Sequence, residues 1–424
     1  MQEVTYFALE NGLRVVHMHE PGTAVGYFGV AVRAGSRDER PDEHGLAHFV
    51  EHTIFKGTQR RSSWHIINRM EAVGGELNAF TTKEDTVVYT AFARGNLVRA
   101  VELVADLVCN SRFPDRELDK EREVVADEID SYLDQPAEAV YDDFEDLLFA
   151  GTPLGHNILG TKKALRTFDS AKCRSWLDRH YTADNMVAFY AGSTGAATFR
   201  ALLERHFAGL RPCKVTLSDK SNLSDKSDGS NCSDLSDKAT GARFDVVRHI
   251  RSHQSNVVMG VALPRCDDMR KRATVAMLSN ILGGPGMNSL LNVELRERRG
   301  LVYTVETAAT FFSDCGMFTV YFGCDPHDVE TCRGLVSAQI ARLADKPLTD
   351  RQLAAWRKQY LGQLVLSNDN RAERAISVAR ATLMRGRALT AEQITADINA
   401  VSAEPLRAAG QRLLDPNILT LGPR

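Results

Sequence analysis

No stretch of this 424-residue chain approaches 18 uninterrupted apolar residues, so a membrane-crossing helix is not expected. Cys-x-x-Cys pairs are absent too. The 8 cysteines, at positions 109, 173, 213, 232, 266, 315, 324 and 332, are scattered, which reads as reduced thiols rather than a disulfide framework or a thiolate zinc site. Charge of one sign is also missing: 52 Lys and Arg against 55 Asp and Glu leave a net charge of -3. That balance argues against broad binding to nucleic acid. The opening Met1-Gln2-Glu3-Val4-Thr5-Tyr6 has neither the basic nor the apolar region of a secretion signal, so a cytoplasmic location is expected. What is present, 43% apolar and 25% charged residues over the length of two to three ordinary domains, suits large cores.

One segment stands apart. From Ser218 to Lys238 the chain repeats Ser-(Asp/Asn)-x seven times, a period of three that matches neither strand nor helix. With few apolar side chains to offset the entropy of ordering, residues 217–241 read as a flexible Ser/Asp-rich linker. The flanking segments, 1–216 and 242–424, resemble each other in outline. Strand-like runs Leu13–Met18 and Gly26–Val32 open the first, and Asn256–Leu263 opens the second. Later β-rich runs, Asp85–Ala93 and Met317–Gly323, precede long amphipathic helical patterns. The expected fold class is α+β: two homologous domains, each a mainly antiparallel sheet layered with helices.

The chemistry concentrates at His48-Phe49-Val50-Glu51-His52. Apolar Leu46, Phe49, Val50, Ile54 and Phe55 suit a buried helix, on which His48 and His52 share one face a turn apart. Two imidazoles so placed can bind one metal ion, with Glu51 beside it, in the inverted order of the zinc-protease helix. Chance would produce this pattern about 0.02 times in a chain with this many histidines. A catalytic zinc usually takes three protein ligands and leaves a position for water. The third is expected to be a carboxylate in the strongly helical run Glu121-Arg122-Glu123-Val124-Val125-Ala126-Asp127-Glu128, where Glu121 and Glu128 share a face. One can ligate while the other orients a histidine. Spacing alone does not say which.

Over nearly its whole length the chain resembles the pitrilysin or insulinase family of metallopeptidases, in the branch of two-domain, processing-peptidase-like chains. The resemblance rests on Ala34-Gly35-Ser36-Arg37, His44 to His52, Phe55-Lys56-Gly57-Thr58, Gly74 to Thr81, Glu121 to Glu128 and Tyr181 to Met186. It continues through Ile281-Leu282-Gly283-Gly284 and Leu295 to Tyr303. It implies one Zn²⁺ per chain, held by His48, His52 and Glu128, with Glu51 as catalytic base and Glu121 supporting the site. The resemblance, not the spacing, selects Glu128 over Glu123. It further implies that Asn78, Ala79 and Phe80 lie on an edge strand to which a peptide substrate adds. Arg296 and Tyr303 match a pair that contacts substrate and stabilises the oxyanion, and Gly283 and Gly284 match a glycine-rich loop near substrate. The chain departs from the family at Pro285 and at Asn288-Ser289-Leu290, where an arginine commonly precedes the leucine.

The expected activity is therefore zinc-dependent endopeptidase action on unfolded peptides, with a second related or identical chain completing a dimer. The rivals are a non-catalytic peptide-binding or scaffolding subunit of a processing-peptidase-like complex and a metal-dependent hydrolase of other substrates.

Overall fold

The computed structural model describes residues 4–210 and 243–423; the Ser-Asp repeat lies outside them. The chain forms two compact units, and neither is contiguous in sequence. The first gathers the described residues of Met1–Ser131, His156–Ser221 and Asn368–Ala388; the second gathers those of Tyr132–Gly155, Asn222–Ser367 and Leu389–Arg424.

The first unit is built on a six-stranded sheet made of β1 (Val4–Ala8), β2 (Arg14–His19), β3 (Val25–Val32), β4 (Glu76–Thr81), β5 (Thr86–Ala93) and β6 (Met186–Gly192). Their order across the sheet is β1-β2-β6-β3-β5-β4. All neighbours are antiparallel except β2 and β6. The period-two alternation of strand side chains decides what each face meets. Phe28, Val30 and Val32 of β3 and Met186, Ala188 and Tyr190 of β6 point to one core. There they meet helices such as Leu97–Asn110, whose Leu97, Ala100, Val101, Val104 and Val108 recur at helical spacing. Ala31, Val187, Phe189 and Ala191 point to the other face, which is covered by Ala375, Ile376, Ala379 and Leu383 of the Arg371–Arg385 helix. Both faces of the central strands are thus buried, which explains their nearly continuous apolar runs.

The second unit repeats this plan, with no β1 equivalent among the described residues. Its strands are β7 (Asp245–His249), β8 (Ser255–Pro264), β9 (Val302–Phe311), β10 (Cys315–Cys324) and β11 (Asn417–Gly422), in the order β7-β11-β8-β10-β9. Here β7 and β11, like β2 and β6 in the first sheet, are parallel and the rest are antiparallel. Strand for strand this matches β2-β6-β3-β5-β4, so the two halves are copies of one fold, as their outline predicts. The exchange of helices is copied too. Val140, Phe144 and Leu148 of the Pro136–Leu148 helix cover Val258, Tyr321 and Leu419 of the second sheet. No helix among the described residues is long and apolar enough to cross a membrane.

The Arg371–Arg385 helix is also tied electrostatically to the first sheet. The Asp85 side chain is fully buried and receives Arg380 Nε at 2.6 Å and Nη2 at 2.7 Å. Removing one partner of such a pair strands a buried charge. Arg380→Met is expected to lower stability by about 2–3 kcal/mol, at the low end because the arginine is itself 42% exposed. Urea unfolding checks this, and the Arg380→Met/Asp85→Asn double variant should lose less than the single one.

Candidate metal centre

The metal-type motif lies on a short helix, Leu46–Thr53, that begins at Gly45 with φ +96°. Only glycine adopts that turn without strain. A Cβ on Gly45 would also meet the Leu159 carbonyl oxygen at 2.7 Å, and one on Gly160 (φ +68°) would meet the His44 oxygen at 2.2 Å. Two backbones therefore touch at the start of the helix. The first turn is held by Glu39, which accepts the Gly45 N–H at 2.8 Å and the Ala47 N–H at 2.7 Å. His156 Nε2 lies 3.0 Å from the same carboxylate, and its ring stacks on His44 at 3.8 Å. Burial pushes the Glu39 pKa up to about 8, even though two N–H donors pull it down.

One turn apart on this helix, the His48 and His52 rings sit 4.5 Å from each other. Glu128, on the Asp115–Leu133 helix, reaches between them: Oε1 is 3.7 Å from His48 Nε2, and Oε2 is 3.3 Å from His52 Nε2. The three side chains could hold one metal ion. Zinc bonds of about 2.1 Å in a tetrahedron separate ligand atoms by roughly 3.4 Å, which these spacings bracket. Glu128 Oε2 is buried without a hydrogen-bond partner, an acceptor aimed at a place that no hydrogen fills. Two imidazoles and a carboxylate are also a donor set that suits zinc. The residues therefore fit the ion.

The charges around the group are arranged for that task. Burial pushes the His48 pKa down to about 3, with His52 adding to the shift, so the ring stays neutral and able to ligate. Burial would lower His52 as well, but the hydrogen bond from its Nδ1 to Glu121 at 3.1 Å and the charges of Glu51 and Glu128 raise it. Glu121 is itself gripped by Lys56, whose Nζ lies 2.6 Å from Oε2. Against the effect of burial, these two partners hold its carboxyl below the usual range. Burial raises the Glu51 carboxyl, and hydrogen bonds from the side chain and backbone of Thr81 oppose the shift. Thr81 ends β4, against which the Leu46–Thr53 helix packs.

The structure thus gathers His48, His52, Glu128, Glu121 and Glu51 in the first unit, together with the β4 residues Asn78, Ala79 and Phe80. Among the described residues β4 pairs only with β5, through Asn78–Tyr89, Ala79–Val88 and Phe80–Val87, and its other edge is open. Arg296 and Tyr303 fall in the second unit. Arg296 is on the π-helical segment Asn292–Glu297, and Tyr303, 57% exposed on β9, donates to Asp325 Oδ1 at 3.2 Å. Gly283 and Gly284 have a packing reason to be glycine: added Cβ atoms would meet Thr307 Cγ2 at 2.8 Å and the Asn280 oxygen at 2.6 Å.

Sequence reasoning gave no role to Lys56, Glu39 or His156. Glu39 lies in a charged turn and His156 in the glycine-flanked run Gly155–Gly160, so only their three-dimensional partners reveal them. If Lys56 fixes Glu121 and through it the His52 ring, Lys56→Met should weaken zinc binding about tenfold or more, and Lys56→Arg should restore most of it. Competition with a chromogenic chelator measures both.

Comparison with known proteins agrees with this picture. Residues 14–162 match the insulinase (peptidase family M16) domain, and residues 167–360 match the peptidase M16 inactive domain. An uncharacterized zinc protease of Streptomyces coelicolor is 30% identical over 422 residues, covering 98% of this chain and 88% of that one. Another, from Mycobacterium tuberculosis, is 32% identical over 416 residues, covering 96% and 90%. In fold, the chain is similar to a protease from Helicobacter pylori (TM-score 0.86, 19% identity, 100% of both chains). It is also similar to a peptidase M16 inactive domain from Pseudomonas fluorescens (TM-score 0.84, 18% identity, 100% of this chain and 98% of that one). The chain belongs to the insulinase family of peptidases, family M16.

Proposed function

We propose that the chain is a zinc-dependent endopeptidase that cuts unfolded peptides, with His48, His52 and Glu128 as ligands of one Zn²⁺ and Glu51 as general base. The observation that carries this reading is the link from Glu51 to Thr81, because it ties a basic carboxylate to the end of an open strand edge. A bound zinc would polarise a scissile carbonyl and acidify water. The chain's own part is as follows. The open edge of β4, at Asn78, Ala79 and Phe80, offers main-chain hydrogen bonds to an extended peptide, which tolerate many sequences and require an unfolded one. A peptide added there runs toward Thr81 and so toward Glu51. The Glu51 carboxyl, raised by burial, is suited to take a proton from water and pass it to the leaving amine. Glu121, braced by Lys56, keeps His52 in the tautomer that leaves Nε2 free to ligate.

Glu51→Gln is expected to retain zinc and lose at least about 100-fold in turnover of a mixed peptide library read by mass spectrometry. Loss of zinc from that variant would place Glu51 among the ligands instead. Equal cutting by wild type and variant would remove Glu51 as the base.

Arg296 and Tyr303 supply a cation and a phenol donor, which suit charge developing on a carbonyl oxygen. We read them as serving the metal centre of a second related or identical chain in a dimer. Mixing inactive His52→Ala with inactive Tyr303→Phe protein should then regenerate part of the wild-type activity after subunit exchange. No recovery after exchange has been demonstrated would overturn the assignment in trans.

A further inference from the structure

The second unit contains a cavity that the peptidase reading does not use. About 300 Å³ in volume, it opens beside the end of β8, between the Met269–Gly283 and Ala403–Gln411 helices. Its walls are apolar. Leu263, Leu278, Phe318 and Leu413 form its floor and belong to the unit's core, while Val275 and Ala409 line its sides. One wall is pinned: the Arg272 guanidinium lies over the Phe311 ring at 4.9 Å, and its Nε donates to the Cys266 carbonyl at 2.6 Å. The shape is therefore preformed rather than a gap that neighbouring side chains can close.

Charge in the lining of the cavity has one sign. Its lining includes Arg265, Lys271 and Arg412 and no carboxylate. Arg265 is engaged by Asp267 at 2.8 Å. Among the described residues, the ammonium of Lys271 and the guanidinium of Arg412 enter no ion pair or hydrogen bond. The nearby acids are committed elsewhere: Asp268 caps the Met269–Gly283 helix, and Glu404 pairs with Arg407.

A preformed apolar cavity whose lining carries two uncompensated cations suits a ligand with a nonpolar body and one anionic end. We propose that this cavity binds a small amphiphilic carboxylate, with the apolar part against Leu278, Phe311 and Phe318 and the carboxylate between Lys271 and Arg412. At about 30 Å³ for each water-sized group, the volume takes roughly ten such groups. A medium-chain fatty acid and a short apolar peptide ending in a free carboxylate both meet that description.

Cys266 lines the same cavity and is partly exposed, so its alkylation reports occupancy at this place. The full chain is treated with N-ethylmaleimide, and the Cys266-containing peptide is followed by mass spectrometry. The additions compared are decanoate, 1-decanol, acetyl-leucyl-leucine and the amide of that peptide. Either carboxylate is expected to slow alkylation saturably, and the one acting at lower concentration identifies the source. The uncharged counterpart should need about tenfold more, the equivalent of roughly 1.4 kcal/mol. Lys271→Ala/Arg412→Ala, a change at two exposed side chains, should abolish that preference while leaving the thermal midpoint of the free protein unchanged. Equal protection by charged and uncharged compounds, a preference that survives the double variant, or no protection by any of them would overturn the proposal.

Discussion

A helix of eight residues cannot hold itself together in water, because the cost of its first turn is spread over too few hydrogen bonds. The candidate metal centre is built on such a helix, so its geometry depends on whatever fixes the first turn. Here that is Glu39, a buried carboxylate that accepts two of the orphan N–H groups at the helix start and meets His156 from the facing loop. The contact of Gly45 with Gly160 brings that loop close enough for this to happen. His48 and His52 inherit their placement from this anchor. Glu128 then needs only to be carried to them by a long helix whose Leu118, Val125 and Ile129 lock it into the same core.

The sequence made part of this legible, for reasons that differ from element to element. His48, Glu51 and His52 are local: their spacing on one helix is enough to suggest a shared metal. Glu128 is remote, and spacing left it tied with Glu121. The structure separates them by partner, placing Glu128 against the ring nitrogens on the side open to a metal and Glu121 between His52 Nδ1 and Lys56. The edge position of β4 was legible only by resemblance, since an edge and a central strand can carry the same alternation. The exchanged helices were not legible at all. An amphipathic stripe says that a helix is buried on one side, but not which sheet buries it.

The two units show how little of a fold its function requires. β4 and β9 hold the same topological place at the rim of matching sheets, each paired on one side only among the described residues. Beside β4 stands a helix bearing two histidines and a glutamate. The corresponding helix of the second unit, Met269–Gly283, carries Ser279 and Asn280, which bind Thr307 of β9 and Gln363 instead. Copying the scaffold kept the rim strand, while among the described residues the histidine pair with its carboxylate stands beside β4 and has no counterpart on the Met269–Gly283 helix.

The exchange of helices also limits how the gene can be divided. The Arg371–Arg385 helix is encoded near the end of the chain, yet it shields Val16, Ala31, Val87, Val187 and Phe189 of the first sheet. A product ending anywhere before it would leave that apolar face bare to water, a surface prone to association. The half that bears the metal-type residues therefore cannot be released as a shorter, self-sufficient enzyme. Much of its duplicate, from β7 through β10, lies in the chain between the first sheet and the helix that completes it.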